Sequence, residues 1–370
     1  MMELELNNIT KKFNKVIAVD DVSLQVKPSE MFFLLGPSGC GKTTTLRIIA
    51  GLERPNRGTI KIKGKDVTMV PSHKRNLAIV FQRWALFPHK TVYDNIAFGL
   101  KMRKMPKEKI KSKVENILGT VGLFGFEDRY PRQLSGGQQQ RIALARALVI
   151  NPTILLLDEP LSNLDLNMRR KMRIELVNLH SQLNITTIFV THDQTEALSM
   201  ADRIALMDKG KIMEISTPYE IYESPKTEFT AKFIGERNFI PGKVSLTNKS
   251  KVIVESDKGL HLQIPISARA PLSKNDKVNV FIGPEKVEIS KKKSANQENV
   301  FSGEIQNVMY LGSIKKYQII LECGEVIICD MQTISDSDIL NCCPGEKVIV
   351  TLDPQSCVCI PKKAKKEGAY

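Results

Sequence analysis

The sequence predicts a mostly parallel, doubly wound α/β domain followed by an all-β domain. Short apolar runs alternate with helical patterns through the first 235 or so residues. A glycine-rich loop joins the first of those runs to a helix. From about Glu236 the texture changes to short alternating segments punctuated by Gly, Pro, Asn and Asp.

Residues 31–35 form a short apolar strand ending in Gly36, and residues 42–49 have helix-forming character. Residues 154–157 and 186–190 are further apolar runs ending in polar residues, as buried parallel strands do. Between them Met172, Leu176, Leu179 and Leu183 recur at helical spacing and mark one face of a crossover helix. Strand, crossover helix and strand in that order give parallel neighbours. Ligands of such sheets gather beyond the strand C-termini, where Gly36, Asp158 and His192 all fall. Residues from about 91 to 149 read as a helical insertion ending in the long helix after Ser135. In the second part, segments 252–255, 260–266, 278–282, 317–321 and 348–351 alternate as strands of small barrels. The polar stretch 291–299 reads as a loop between two β halves.

A chain of 370 residues is long enough for two domains with real cores. Its 42% hydrophobic and 25% charged content are those of a soluble globular protein. No run approaches the ~18 consecutive apolar residues of a membrane-spanning helix. The start, Met1-Met2-Glu3-Leu4-Glu5, lacks the basic-then-apolar layout of a signal peptide, and a cytoplasmic location is expected. The formal charge is +14. Its basic runs at 101–113, 291–293 and 362–366 carry no interleaved aromatics and read as solvated faces, so no nucleic-acid partner is expected. Seven cysteines, an odd number, argue for buried reduced thiols rather than a disulfide scaffold. Neither Cys342-Cys343 nor the Cys357, Cys359 pair has the spacing of structural zinc.

The loop Gly36-Pro37-Ser38-Gly39-Cys40-Gly41-Lys42-Thr43-Thr44 follows a strand and opens a helix, the context a phosphate cradle needs. Backbone N–H groups converge on a phosphate there, and the helix N-terminus adds a favourable field. That chemistry places Lys42 on the β- and γ-phosphates and the Thr43 hydroxyl on Mg²⁺. Asp158 ends the second apolar strand and is the expected Mg²⁺ carboxylate. Glu159 follows it and suits a general base or water-orienting role; the plainer alternative is that both carboxylates cap the next helix. His192 closes the strand at 186–190 on the same sheet edge, where a γ-phosphate contact is expected. Leu134-Ser135-Gly136-Gly137-Gln138 supplies a second anion cradle. Ser135 is a natural N-cap, and the helix it opens presents free N–H groups, with Ile142, Ala145 and Leu148 on one face. Two nucleotide-facing surfaces on one chain are hard to explain unless two copies meet around ATP.

With these motifs in order across residues 4–235, the chain resembles the ATP-binding subunits of ABC transporters. The resemblance implies an α/β P-loop NTPase at 1–235, a RecA-like core plus helical subdomain. It implies a C-terminal all-β OB-like barrel of the TOBE type at 236–370, and ATP and Mg²⁺ as cofactors. Gln82, in Val80-Phe81-Gln82, matches the Q-loop that senses Mg²⁺ and the attacking water and couples to membrane subunits. Ser162-Asn163-Leu164-Asp165 matches the D-loop, and Asp165 would cross the dimer. Phe13 occupies the place of the aromatic that stacks on adenine. Ser135, Gly136 and Gly137, with Gln138 closing the motif, would clamp the γ-phosphate held by the opposite subunit. The implied assembly is a homodimer, peripheral on the cytoplasmic face of the membrane. Its implied partners are two integral membrane permease subunits and, through them, an extracytoplasmic solute-binding protein.

Within the family, the segments 85–89, 91–96, 191–197 and 233–238 resemble bacterial importers for polyamines, ferric iron, phosphonates and sugars. Tyr310-Leu311-Gly312-Ser313 is closer to the polyamine and iron versions. Gly283 stands before Pro284-Glu285 where the family commonly carries a basic residue. The expected function is ATP hydrolysis energising solute import, spermidine/putrescine-type first. Ferric iron, phosphonate and quaternary amine are the alternatives within that class. The competing class is a soluble ABC-type ATPase acting on nucleic acid or ribosomes. Its members usually carry two cassettes or a long coiled-coil insertion, and neither is present here.

Overall fold

The computed structural model describes residues 1–248, 250–265, 272–292, 298–333 and 342–362. Ile266, Lys293 and the rest of the 291–299 loop up to residue 297 lie outside the described residues, as does the basic tail beyond Lys362. The chain divides into two compact units, Met1–Tyr219 and Glu220–Tyr370.

The first unit opens with a hairpin, β1 (Leu4–Phe13) and β2 (Val16–Val26), then β3 (Met31–Leu35) and helix α1 (Lys42–Ala50). Two short strands, β4 (Arg57–Ile62) and β5 (Lys65–Asp66), pair back onto the hairpin in the antiparallel order β2-β1-β4-β5. The expected alternation of strand and helix does not describe this antiparallel sheet. The period-2 burial of Leu4 and Leu6 marks β1, but register shifts between Leu6, Ile9 and Lys11 break the pattern.

The main sheet is built from β6 (Leu77–Val80), β7 (Ile154–Asp158), β8 (Thr186–Thr191) and β9 (Arg203–Asp208) around β3. These five are parallel in the order β9-β3-β8-β7-β6, and β10 (Lys211–Ser216) adds an antiparallel edge to β9. Strands β3, β7 and β8 are buried along their whole length, as strands covered on both faces must be. On one face Phe32, Leu34, Leu156 and Ile188 meet Leu46 and Ile49 of α1 and Leu6 and Ile9 of the antiparallel sheet. On the other, Phe33 stacks on Phe189 with ring centroids 4.4 Å apart.

Between β6 and β7 lie α2 (Val92–Met102), α3 (Lys107–Thr120) and α4 (Gly136–Leu148). They enclose a separate small core of Val92, Ile96, Val114, Leu118, Ile142 and Ala145. Helices α5 (Leu166–Leu183) and α6 (Gln194–Met200) follow β7 and β8. Of the expected stripe on α5, Met172 and Leu176 are buried, but Leu183 is 37% exposed. The last turn of α5 borders an open cavity of about 490 Å³ at the N-terminal edge of the sheet, which leaves Leu183 only half covered.

The second unit begins ahead of the change in sequence texture. After α7 (Pro218–Glu223), α8 (Glu228–Phe233) buries Ala231 against Phe281 and Ile360 of the β domain, so this helix shares that core. Then come β11 (Asn238–Thr247), β12 (Lys251–Ser256), β13 (His261–Pro265), β14 (Lys277–Ile282) and β15 (Val287–Ser290). The last five are β16 (Val300–Tyr310), β17 (Ile314–Leu321), β18 (Val326–Gln332), β19 (Lys347–Leu352) and β20 (Val358–Pro361). They form two antiparallel sheets, β13-β12-β11-β14-β20 and β15-β19-β16-β17-β18, around one core. This is an all-β, barrel-like domain.

Among the described residues the cysteines form no disulfide. Burial pushes the Cys329, Cys357 and Cys359 thiols up to about 12. Burial is not uniform, however: Cys343 is exposed, and Cys323, in the turn after β17, and Cys359 are half-buried. Among the described residues no group of His, Cys, Asp and Glu is placed to hold a metal ion, and no helix is long and apolar enough to cross a membrane.

Candidate functional site

Glycine is required at two points of the loop between β3 and α1. A Cβ on Gly36 would lie 2.2 Å from the Met207 carbonyl oxygen, and one on Gly41 2.3 Å from that of Ala18. Gly41 also has φ 102°, a conformation that side chains rarely adopt. The loop is stitched to its surroundings by Gly210 N–H donating to Cys40 O, and Asp20 N–H to Gly210 O. Pro37 is half-buried and Ser38 and Gly39 are exposed, so the loop crest faces solvent.

Lys42 is buried, and its Nζ donates to Gly36 O at 2.8 Å and Pro37 O at 2.9 Å. The ammonium therefore lies under the crest. Burial pushes the neighbouring Cys40 thiol up, partly offset by Lys42. Thr43 Oγ1 donates to Asp158 Oδ1 at 3.0 Å. Burial raises the Asp158 carboxyl above its ordinary value, opposed by that hydrogen bond. Thr44 is half-buried on the next step of the helix.

Glu159 has φ 46°, in the left-handed region. Its N–H donates to Val190 O at 3.0 Å and its carbonyl accepts from Ser162 Oγ at 2.9 Å, which holds the strained residue in place. Its carboxylate meets two of the sequence-predicted residues: Oε2 lies 3.2 Å from His192 Nδ1 and accepts from Gln82 Nε2 at 3.4 Å. Gln82 also reaches Ser162 Oγ at 3.2 Å, and Asn163 Nδ2 donates to Gln82 O at 2.7 Å. Neither Asp158 nor Glu159 caps α5. That is done by Asp165, whose side chain accepts from Met168 N–H at 2.9 Å. The alternative reading of the two carboxylates as helix caps is thereby corrected.

The segment before α4 forms a reciprocal cap. Ser135 Oγ accepts from Gln138 N–H at 3.4 Å, and Gln138 Oε1 accepts from Ser135 N–H at 2.9 Å. The cap leaves the N–H groups of Gly136 and Gly137 uncommitted to it. Both glycines are closely packed: a Cβ on Gly136 would meet the Trp84 ring at 3.2 Å, and one on Gly137 would meet Met168 Sδ at 2.9 Å. Among the described residues no hydrogen bond or ion pair joins Ser135–Gln138 to the Lys42 loop. Phe13 is 43% exposed at the end of β1, with Lys11 Nζ 4.7 Å from its ring centroid.

Two arginines at the site lie outside the motifs. Arg169 on α5 pairs with Asp193 at 3.5 Å and donates to Leu164 O, tying the loop before α5 to the one after β8. Arg146 on α4 donates to Trp84 O and Ala85 O, both at 2.8 Å. Their partners are carbonyls or residues far along the chain, which no local pattern reveals. For Arg146 the signal is an arginine among small and apolar residues of α4; Arg169 has none, since Arg170, Lys171 and Arg173 follow it in the sequence.

Compared with known proteins, residues 19–162 match the ABC transporter family and residues 280–360 the TOBE domain. Spermidine/putrescine import ATP-binding protein PotA of Trichormus variabilis is 47% identical over 318 residues, covering 86% of this chain and 84% of that protein. Its counterpart in Rubrobacter xylanophilus is 42% identical, covering 97% and 94%. Putrescine transport ATP-binding protein PotG of Escherichia coli is 44% identical, covering 89% and 87%. Among solved structures, cbiO1 from Clostridium perfringens, part of the ABC transporter complex cbiONQ, aligns with a TM-score of 0.56 and 29% identity over 60% of this chain and 90% of that one. The ATP-binding cassette MJ0796, a dimer bound to ADP and Pi after hydrolysis, aligns at 0.52 with 32% identity over 58% and 98%. The chain belongs to the ATP-binding proteins of ABC transporters. It is an ATP-binding enzyme of the ABC ATPase class with a C-terminal TOBE domain.

Proposed function

We propose that this protein hydrolyses ATP to energise import of a polyamine of the spermidine/putrescine type, working as a homodimer against two membrane permease subunits on the cytoplasmic face. A solute-binding protein outside the membrane would deliver the polyamine to those permeases. The solute rests on the names of relatives that match this chain over most of both lengths. The mechanism rests on one observation: Gln82 and His192 converge on Glu159 Oε2, beside the Thr43–Asp158 pair.

Each group keeps the role expected of it from the sequence. The loop N–H groups and Lys42 hold the β- and γ-phosphates, and Phe13 stacks on the adenine. Thr43 and Asp158 offer the oxygen donors a hard cation takes, with Gln82 as a third. Mg²⁺ held there would neutralise charge between the β- and γ-phosphates. Glu159 takes the proton of, or orients, the water that attacks the γ-phosphate, and His192 holds the Glu159 carboxylate and the γ-phosphate in line. The donors still lacking are those that face the far side of the γ-phosphate. Ser135, Gly136 and Gly137 of the second copy supply them, and Asp165 lies at that junction. Hydrolysis then requires two chains.

Glu159→Gln is expected to bind ATP, lose hydrolysis and accumulate as a dimer on size-exclusion chromatography. Turnover above about a tenth of wild type would remove Glu159 as the base, given the 10²–10⁴-fold such a group supplies. Ser135→Arg is expected to keep ATP affinity and lose hydrolysis. For the solute, deletion of the gene should abolish uptake of labelled spermidine and putrescine, and complementation should restore it. Unchanged uptake would contradict the polyamine assignment while leaving the ATPase mechanism intact.

A further inference from the structure

Trp84 is the single tryptophan of the chain and stands two residues after Gln82. It and Ala85 both lie in the left-handed region, with φ 54° and 47°. Consecutive non-glycine residues there are unfavourable and persist only where the surroundings fix them. Arg146 of α4 does so by donating to both of their carbonyls, each at 2.8 Å. The turn delivers the indole onto the start of α4, where a Cβ on Gly136 would lie 3.2 Å from ring carbon Cη2 and 3.9 Å from Cζ3. The indole N–H points to the carbonyl of Pro160, the residue after Glu159, at 3.5 Å. One side chain thus borders the helix that carries Ser135 and the segment that carries Glu159, and it belongs to the loop that carries Gln82.

We propose that Trp84 is a positioning residue for hydrolysis, its indole acting as the spacer that sets the α4 N-terminus relative to the Gln82–Glu159 cluster. This rests on the roles of Glu159 and Ser135 proposed above. Ring volume is the operative property, because 3.5 Å is long for an N–H···O bond, while the ring occupies the space beside Gly136 so closely that an added Cβ there would meet it at 3.2 Å. Removing the ring lets α4 settle at another spacing and misplaces groups that must meet the γ-phosphate together. The loop that binds the phosphates is untouched, so ATP affinity should hardly change.

Steady-state ATPase kinetics on Trp84→Ala, Trp84→Phe, Gly136→Ala and the Trp84→Phe/Gly136→Ala double variant test this. Trp84→Ala is expected to lower kcat about tenfold or more with KM for ATP within about twofold, the signature of lost transition-state positioning. Trp84→Phe, which keeps one ring, should lie between. Gly136→Ala pushes a methyl into the indole, and shrinking the ring relieves it, so the double variant should turn over at least about threefold faster than Gly136→Ala alone. Wild-type kcat in Trp84→Ala, or single effects that simply multiply in the double variant, would overturn the proposal. The coupling arm stands even if Trp84→Ala folds poorly. Glu159→Gln run alongside separates the two readings: turnover surviving there removes the site assignment and this proposal with it. Turnover lost there but kept in Trp84→Ala removes the positioning role alone.

Discussion

Asp158 carries a carboxyl at the end of a strand buried on both faces, with Thr43 as its hydrogen-bond donor at 3.0 Å. Burial raises its pKa, and the same holds for Glu196, which accepts from Thr191 at 2.6 Å. In both, the folded chain holds a proton that the unfolded chain has already released. Their contribution to stability is complete below the ordinary carboxylate range and is lost as pH rises through the raised folded values. Without nucleotide, the melting temperature should therefore fall through that window. Asp158→Asn should flatten the fall and raise the melting temperature at neutral pH, while abolishing the extra stabilisation by ATP with Mg²⁺. Parallel melting curves for wild type and variant from about pH 4 to 8 would contradict this account of the site's charge. The residues legible in the sequence were those with fixed spacing along one loop or strand end, such as Lys42, Thr43, Asp158 and Glu159. Trp84, Arg146 and Arg169 were not legible, because their partners lie elsewhere in the chain.

Helix α4 joins the two kinds of chemistry in this unit. Its first turn carries the Ser135–Gln138 cap, and its body buries Ile142 and Ala145 in the helical core. Gln140 lies fully buried between them, and among the described residues neither amide atom has a hydrogen-bond partner. An unpaired buried amide costs about 1–3 kcal/mol, so Gln140→Met, which keeps the length, should raise the melting temperature by several degrees. A lower melting temperature would show that the amide is satisfied in the folded protein. Elements were legible where an apolar run was unbroken, as in β3, β7 and β8. Bulged β1 and β2 were not, since each register shift moves side chains to the other face. In the β domain, glycine at position 283 goes with the placement of its neighbour Glu285. A Cβ there would lie 2.3 Å from the Glu285 carboxylate, which accepts from Tyr222 at 3.1 Å, so a larger residue would have to displace that flexible side chain from Tyr222.

At the scale of the molecule, the first unit carries both cradles of the proposed ATP site, and among the described residues no hydrogen bond or ion pair joins them. The Lys42 loop, Asp158, Glu159 and His192 gather at the C-terminal edge of the parallel sheet, and the Ser135 helix start lies beside Trp84, Leu164 and Met168 instead. That separation is the reason for proposing a homodimer. The most direct measurement is ATPase activity per chain across a dilution series, with the mass of the species followed by sedimentation. Activity per chain should rise and fall with the dimer fraction and vanish as the protein dissociates. Undiminished turnover per chain where sedimentation finds only monomer would contradict the shared site.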